Sequence, residues 1–198
     1  EAMNIETQEL RTFYKEDCNF GYRNSIFKEE LKGKYIITSV IFELSRLEHI
    51  IKTNYGAIES ELKNNGIENP TIQDISKSVI SIRNSKLPNP KDIGNSGSFF
   101  KNPVISYSQF ELLKNQFPKI PYFEISETTV KIPAGWLIET AGFKGKTFKN
   151  YGVHNKQALV LVNYGNASGK DIFELSKKIQ EAILIVFGII LESEVNIL

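Results

Sequence analysis

The run Gly94 to Pro103, GNSGSFFKNP, holds the densest set of groups able to handle a ligand. Two glycines three positions apart let a ligand approach the backbone closely, and such a loop can turn N–H groups toward an anion. The backbone at Gly94, Asn95 and Gly97 is therefore the candidate for holding a cofactor. Ser96 and Ser98 add hydroxyls, Asn95 and Asn102 add amides, and Phe99 and Phe100 would fix the loop by burial. The competing account is a surface turn leading into a strand. The run is neither a Walker A loop nor a nucleophile elbow, and no histidine stands convincingly placed to activate a serine.

Other candidates are more dispersed. Gly21-Tyr22-Arg23 offers a permanently charged fork suited to carboxylate or phosphate, beside a ring and a hydroxyl. Arg83 and Lys86 stand near the end of an expected helix, where they either complement its dipole or face a phosphate-bearing ligand. Glu192 and Glu194 flank Ser193, so alternation would put both on one face, one in a pocket and one on its rim, or both in solvent. Tyr55-Gly56 could form a mobile lid or merely a turn. Gln157 precedes an apolar run and could donate to a sugar or phosphate, or simply begin a strand.

The elements that must position these groups read as α+β. Lys34 to Leu44, KYIITSVIFEL, is rich in β-branched and aromatic residues and predicts a strand. Thr71 with Asp74 three residues later makes a capping-box-like pair, and Ile72, Ile75, Val79 and Ile82 form one apolar stripe of a helix ending before Pro88. Pro88 and Pro90 stiffen a connector from Leu87 to Asp92. Beyond it come a helix over Ser108 to Gln116, a strand over Thr129 to Pro133, and a helix over Ala134 to Ala141 ending at Gly142. A buried strand is expected over Ala158 to Asn163. Ser168 would cap a long helix closed by Gly188, and Ile189 to Val195 reads as a final strand.

Composition narrows the function classes. The chain has 198 residues, 24 Lys plus Arg against 23 Asp plus Glu, and a formal net charge of +1. That balance gives no electrostatic case for nucleic acid. The longest greasy stretch, Ile183 to Leu191, is about half of the roughly 20 residues a membrane helix needs. A single cysteine, Cys18, excludes an internal disulfide and fits a reducing, cytoplasmic setting. With only His49 and His154 beside it, a soft-metal site is not expected. Both ends read as cut from something longer.

Seven motifs then fall in one order. They are GYR-x-S-x-F-K from Gly21, TNYG from Thr53, R-x-x-K-L-P-x-P from Arg83, GNSGSFFKNP from Gly94, PAGWLIE from Pro133, VH-x-x-QALVLVN from Val153 and LESEV from Leu191. Together they resemble the UDP-N-acetylenolpyruvoylglucosamine reductase family, flavoenzymes of peptidoglycan precursor synthesis. TNYG is similar to the subtype that closes a tyrosine over its substrate. The resemblance covers only the carboxyl-terminal part of such an enzyme. It implies the tail of an FAD-binding domain over residues 1–70, a connecting helix and linker over 71–87, a substrate domain over 88–188 and a return strand over 189–198.

It further implies that NADPH reduces FAD, that hydride then reaches C3 of an enolpyruvyl group on a UDP-sugar, and that C2 is protonated. Ser98 is thereby implied as proton donor, with Arg23 and Glu194 steadying the enolic intermediate. Glu194 helps only if it carries or shares a proton. Tyr55, Lys86, Asn102 and Gln157 are implied as substrate contacts, with Tyr22 and Arg83 in support. The implied partner is this small molecule, acting on a monomer without nucleic acid or membrane. The chain departs from the family pattern at Asn196, where an arginine is usual, and at Phe123, where ungapped matching expects tyrosine.

Overall fold

The computed structural model describes residues 1–54 and 56–197. The chain divides into two units, Glu1–Ile50 and Ile51–Leu198. Each is described by itself.

In the first unit, β1 (Ala2–Asn4) lies between β2 (Leu10–Arg11) and β3 (Tyr35–Ile37), all antiparallel. The Asn4 side chain makes the turn by accepting from the N–H groups of Glu6 (2.9 Å) and Thr7 (3.0 Å). Phe13, Phe27 and Tyr35 meet edge to face, and the Arg11 guanidinium lies 4.6 Å from the Phe13 ring centre. Ala2 and Cys18 are its buried apolar residues.

The strand expected over Lys34 to Leu44 is realised only as β3. Thr38 and Ser39 still donate to the Glu1 carbonyl, at 3.0 and 3.4 Å. Past them no strand pairing occurs among the described residues, and Val40, Ile41, Phe42 and Leu44 stand exposed. Strand propensity reports how well side chains fit a pleated surface, so it produces no strand where no neighbour supplies the ladder.

The second unit opens with α1 (Ile58–Asn64) packed on α2 (Ile72–Lys86). The capping box at Thr71 and Asp74 forms in both directions, with N···O distances of 3.0 and 3.3 Å. Two antiparallel sheets follow. The larger has the order β4 (Gly94–Ser98), β10 (Val160–Asn163), β9 (Tyr151–Val153), β8 (Thr147–Phe148). The smaller has the order β5 (Val104–Ser106), β7 (Thr129–Lys131), β6 (Phe123–Glu124).

Three further helices complete it: α3 (Tyr107–Gln116), α4 (Ala134–Thr140) and α5 (Gly169–Phe187). Ser168 and Asp171 cap α5 reciprocally. Gly188, at φ 63°, ends it in the left-handed conformation that glycine enters without a Cβ penalty. One core, with Phe100, Phe110, Leu137, Ile138, Ile179 and Ile183 at or near zero exposure, joins α3, α4, α5 and the sheets. The architecture is α+β.

Register defines the faces of the larger sheet. Val160 is opposite Ser98, Leu161 is opposite Val153, and the His154 N–H bonds the Val160 carbonyl at 2.9 Å. Opposed residues share a face and successive ones alternate. Ser98, Val160 and His154 therefore share one face, and Leu161 and Val153 join the main core on the other. The stretch Ile189 to Val195 is not a continuous strand. Among the described residues it pairs around a Phe100–Ser193 bridge, through Lys101 N–H to the Glu192 carbonyl (2.9 Å) and Glu194 N–H to the Phe99 carbonyl (2.8 Å).

Candidate functional site

Ser98 is the last residue of β4, a strand of small polar residues with weak intrinsic preference for extended structure. It is held extended by its neighbours. The Phe99 N–H donates to the Leu159 carbonyl at 2.8 Å, and the Phe99 carbonyl accepts from Glu194 N–H at 2.8 Å. Phe99 and Phe100 are buried, as the loop's burial argument required. Ser98 is thus framed by the 154–160 turn on one side and by Glu194 on the other, with its side chain exposed.

Asn102 and Gln157 both approach the start of α4. The Asn102 Oδ1 accepts from Ala134 N–H at 2.8 Å. The Gln157 Oε1 accepts from Leu159 N–H at 3.3 Å and lies 3.5 Å from where a Cβ on Gly135 would stand. The end of α2 joins them. Lys156 Nζ donates to the Ser85 carbonyl at 3.1 Å, and Arg83 and Lys86 lie in that same last turn. Lys86, Ser98, Asn102, Gln157 and Glu194 are thereby each linked, directly or through an adjacent residue, to one connected set of contacts in the second unit.

The other nominated groups fare differently. Tyr22 and Arg23 belong to the first unit, in a tight turn closed by reciprocal Gly21 and Asn24 bonds of 3.0 and 3.2 Å. Arg23 sits there at φ 55°, an unusual conformation for a side chain with a Cβ. Tyr55 lies outside the described residues. Glu192 pairs with Lys101 at 2.7 Å with 70% of its side chain exposed, a rim ion pair of small energetic weight.

The Gly97 N–H is taken by the Asn95 Oδ1 at 3.0 Å, and the Asn95 amide donates to the Ile93 carbonyl at 2.8 Å. Gly97, at φ 74°, serves that turn. Gly94 and Asn95 do border an open, largely apolar cleft of about 690 Å³ with Phe99, Leu161, Asn163 and Ile172. The Gly97 N–H is thus spent within the loop, whereas a flavin pyrophosphate binds through free N–H groups.

The sequence reading missed two residues of the 154–157 turn. Lys156 carries no motif signal, because its partner is 71 residues away. His154 is 8% exposed, and its Nδ1 is buried with no hydrogen-bond partner among the described residues. Burial, and then the nearby Lys156 charge, hold its ring below the ordinary histidine range. Well above pH 6.5 both folded and unfolded rings are neutral. As the pH falls through 6.5 the unfolded chain gains a proton that the folded ring resists, so stability declines by up to about 1.4 kcal/mol per unit. Urea midpoints of the wild type should therefore drop more steeply between roughly pH 6.5 and 5 than those of His154→Asn. Parallel profiles would remove His154 as the source.

Among the described residues, no cluster of three His, Cys, Asp or Glu side chains could hold a metal ion, and no helix is long and apolar enough to cross a membrane. Fold and hydrogen bonds together define an α+β domain in which the end of β4, the 154–160 turn and the end of α2 are tied to one another. The family model for the UDP-N-acetylenolpyruvoylglucosamine reductase C-terminal domain matches residues 89–198, and the chain belongs to that family.

Among curated relatives, the UDP-N-acetylenolpyruvoylglucosamine reductase of Flavobacterium johnsoniae is 57% identical over 100% of this chain and 58% of its own length. That of Amoebophilus asiaticus is 46% identical with the same coverage, 100% and 58%. The chain thus spans 58% of the length of these two relatives. The crystal structure of the Thermus caldophilus reductase overlaps 63% of this chain and 33% of its own at 23% identity. The TM-score of that overlap is 0.39.

Proposed function

We propose that this chain supplies the substrate-binding and proton-donating part of an enzyme that reduces UDP-N-acetylglucosamine enolpyruvate to UDP-N-acetylmuramate, in the cytoplasm, for peptidoglycan synthesis. The reading is carried by the connection of Lys86, Ser98, Asn102, Gln157 and Glu194 within the second unit. NADPH and FAD supply hydride chemistry in the family; the chain's own residues do the rest.

Reduction at C3 of the enolpyruvyl group places negative charge on C2 and the neighbouring carboxylate. Donors and cations fixed where that charge develops act in the transition state, where they lower the barrier most. In this reading Ser98 Oγ gives its proton to C2, held by the Phe99 bonds on either side. Glu194 and Arg23 take the role of steadying the enolic intermediate, the guanidinium as a fork suited to two parallel hydrogen bonds with a carboxylate. Lys86, Asn102, Gln157 and Tyr55 take the role of substrate contacts, with Tyr22 and Arg83 in support. Residues 1–70 would be the tail of the flavin domain, 71–87 the connector, 88–188 the substrate domain and 189–198 the return strand, in a monomer.

The occupied donors at Gly97 and Asn95 favour a second reading, a UDP-sugar binding module without its own cofactor. One experiment separates the two. Full-length protein is mixed with NADPH, and absorbance at the NADPH band is followed as UDP-N-acetylglucosamine enolpyruvate is added. Substrate-dependent NADPH oxidation supports the enzyme; calorimetric binding without oxidation supports the module; neither sinks both.

A further inference from the structure

The contact between Lys156 and Ser85 joins two segments that the functional reading treats separately. Ser85 lies in the last turn of α2, where carbonyls lack an intrahelical partner and carry partial negative charge. The Lys156 ammonium satisfies that carbonyl at 3.1 Å. At its other end Lys156 rises from a well-tied turn. His154 N–H bonds Val160, Val160 N–H bonds the Gln157 carbonyl at 3.1 Å, and the His154 ring is buried. A side chain projecting from so constrained a backbone loses less freedom in making its bond than one on a loose loop.

The residues next in sequence to this bonded pair are Lys86 and Gln157, both assigned above to the substrate. We propose that Lys156 is a positioning residue, tying the end of α2 to the 154–157 turn and so holding Lys86 beside Gln157 for a nucleoside-diphosphate sugar. The ligand class rests on the reading under Proposed function; the tie itself rests on the hydrogen bond. Arg83, Lys86 and Lys156 also gather positive charge at one helix end, which an incoming diphosphate relieves.

The test is a double-variant cycle in the full-length protein, with Lys156→Met, Lys86→Met, their combination, and Lys156→Arg. Lys156→Met should raise KM for the UDP-sugar about fivefold while kcat changes by less than about twofold, since a lost orientation of a binding group weakens binding before chemistry. Lys156→Arg should restore KM. In the Lys86→Met background, adding Lys156→Met should change KM by less than about twofold, because the pair acts as one unit.

Without ligand, amide exchange at Lys86 and Leu87 should quicken about threefold in Lys156→Met, as the helix end frays. Effects on KM that multiply in the combined variant overturn the proposal, since Lys156 would then act on the ligand by itself. Unchanged exchange or unchanged KM in Lys156→Met also overturns it. A wild-type protein that binds neither the UDP-sugar nor UDP overturns the functional reading and this role with it, whereas normal wild-type binding with multiplicative variants overturns this role alone.

Discussion

Ser98→Ala in the full-length protein should leave reduction of the flavin by NADPH intact and slow product formation by about a thousandfold, within the range for loss of one general acid. The expectation rests on the proton-donor role proposed for Ser98. Ser98 ends β4, and the backbone just beyond it is fixed by Leu159 on one side and Glu194 on the other. Its side chain is exposed, and its Oγ donates to no acceptor among the described residues. Removing it therefore leaves no orphaned partner, and stability should change by no more than about 0.5 kcal/mol. Stopped-flow absorbance would read flavin reduction, and chromatography would read product. Unimpaired product formation would show that the proton comes from elsewhere.

Gly152→Ala should lower the melting temperature by about 10 °C, as expected for a loss of roughly 3 kcal/mol in a domain of this size. Gly152 lies in β9, where a Cβ would overlap the Lys146 carbonyl and stand 2.9 Å from Thr147 Cα. Both obstacles are backbone of the paired β8 region, so no side chain can swing aside. β9 in turn pairs with β10, the strand that carries Val160 opposite Ser98. The control is Gly169→Ala, whose added methyl meets nothing within 4 Å at the start of α5 and should be nearly neutral. Circular dichroism melts of the two variants would decide it, and equal melting temperatures would contradict the clash.

Much of the second unit was legible because its signals are local. Thr71 with Asp74, and Ser168 with Gly188, state where two helices begin and one ends, and the chain obeys them. The ALVLVN run reads as a buried strand because Val160 to Val162 are covered on both faces of their sheet. Gly94 to Ser98 was harder. Nothing in GNSGS favours a strand; the ladder offered by β10 makes it one.

The opposite error arose at Val40 to Leu44, where apolar residues announce a strand that finds no neighbour. The residues proposed for the substrate are legible through ordered motifs, yet three details lie beyond them. The Asn95 amide is spent within its own turn, Lys156 reaches across 71 residues, and His154 Nδ1 is buried without a bond. The last two depend on a contact between segments far apart in the chain or on a bond that fails to form, and the first on which local bonds a short turn makes.

The burial of Cys18 has a practical use. It is the only thiol in this chain and is 6% exposed, so maleimide reagents should pass it by. A cysteine introduced at an exposed position such as Lys170, on the border of the 690 Å³ cleft, would then take a fluorophore selectively and report what enters.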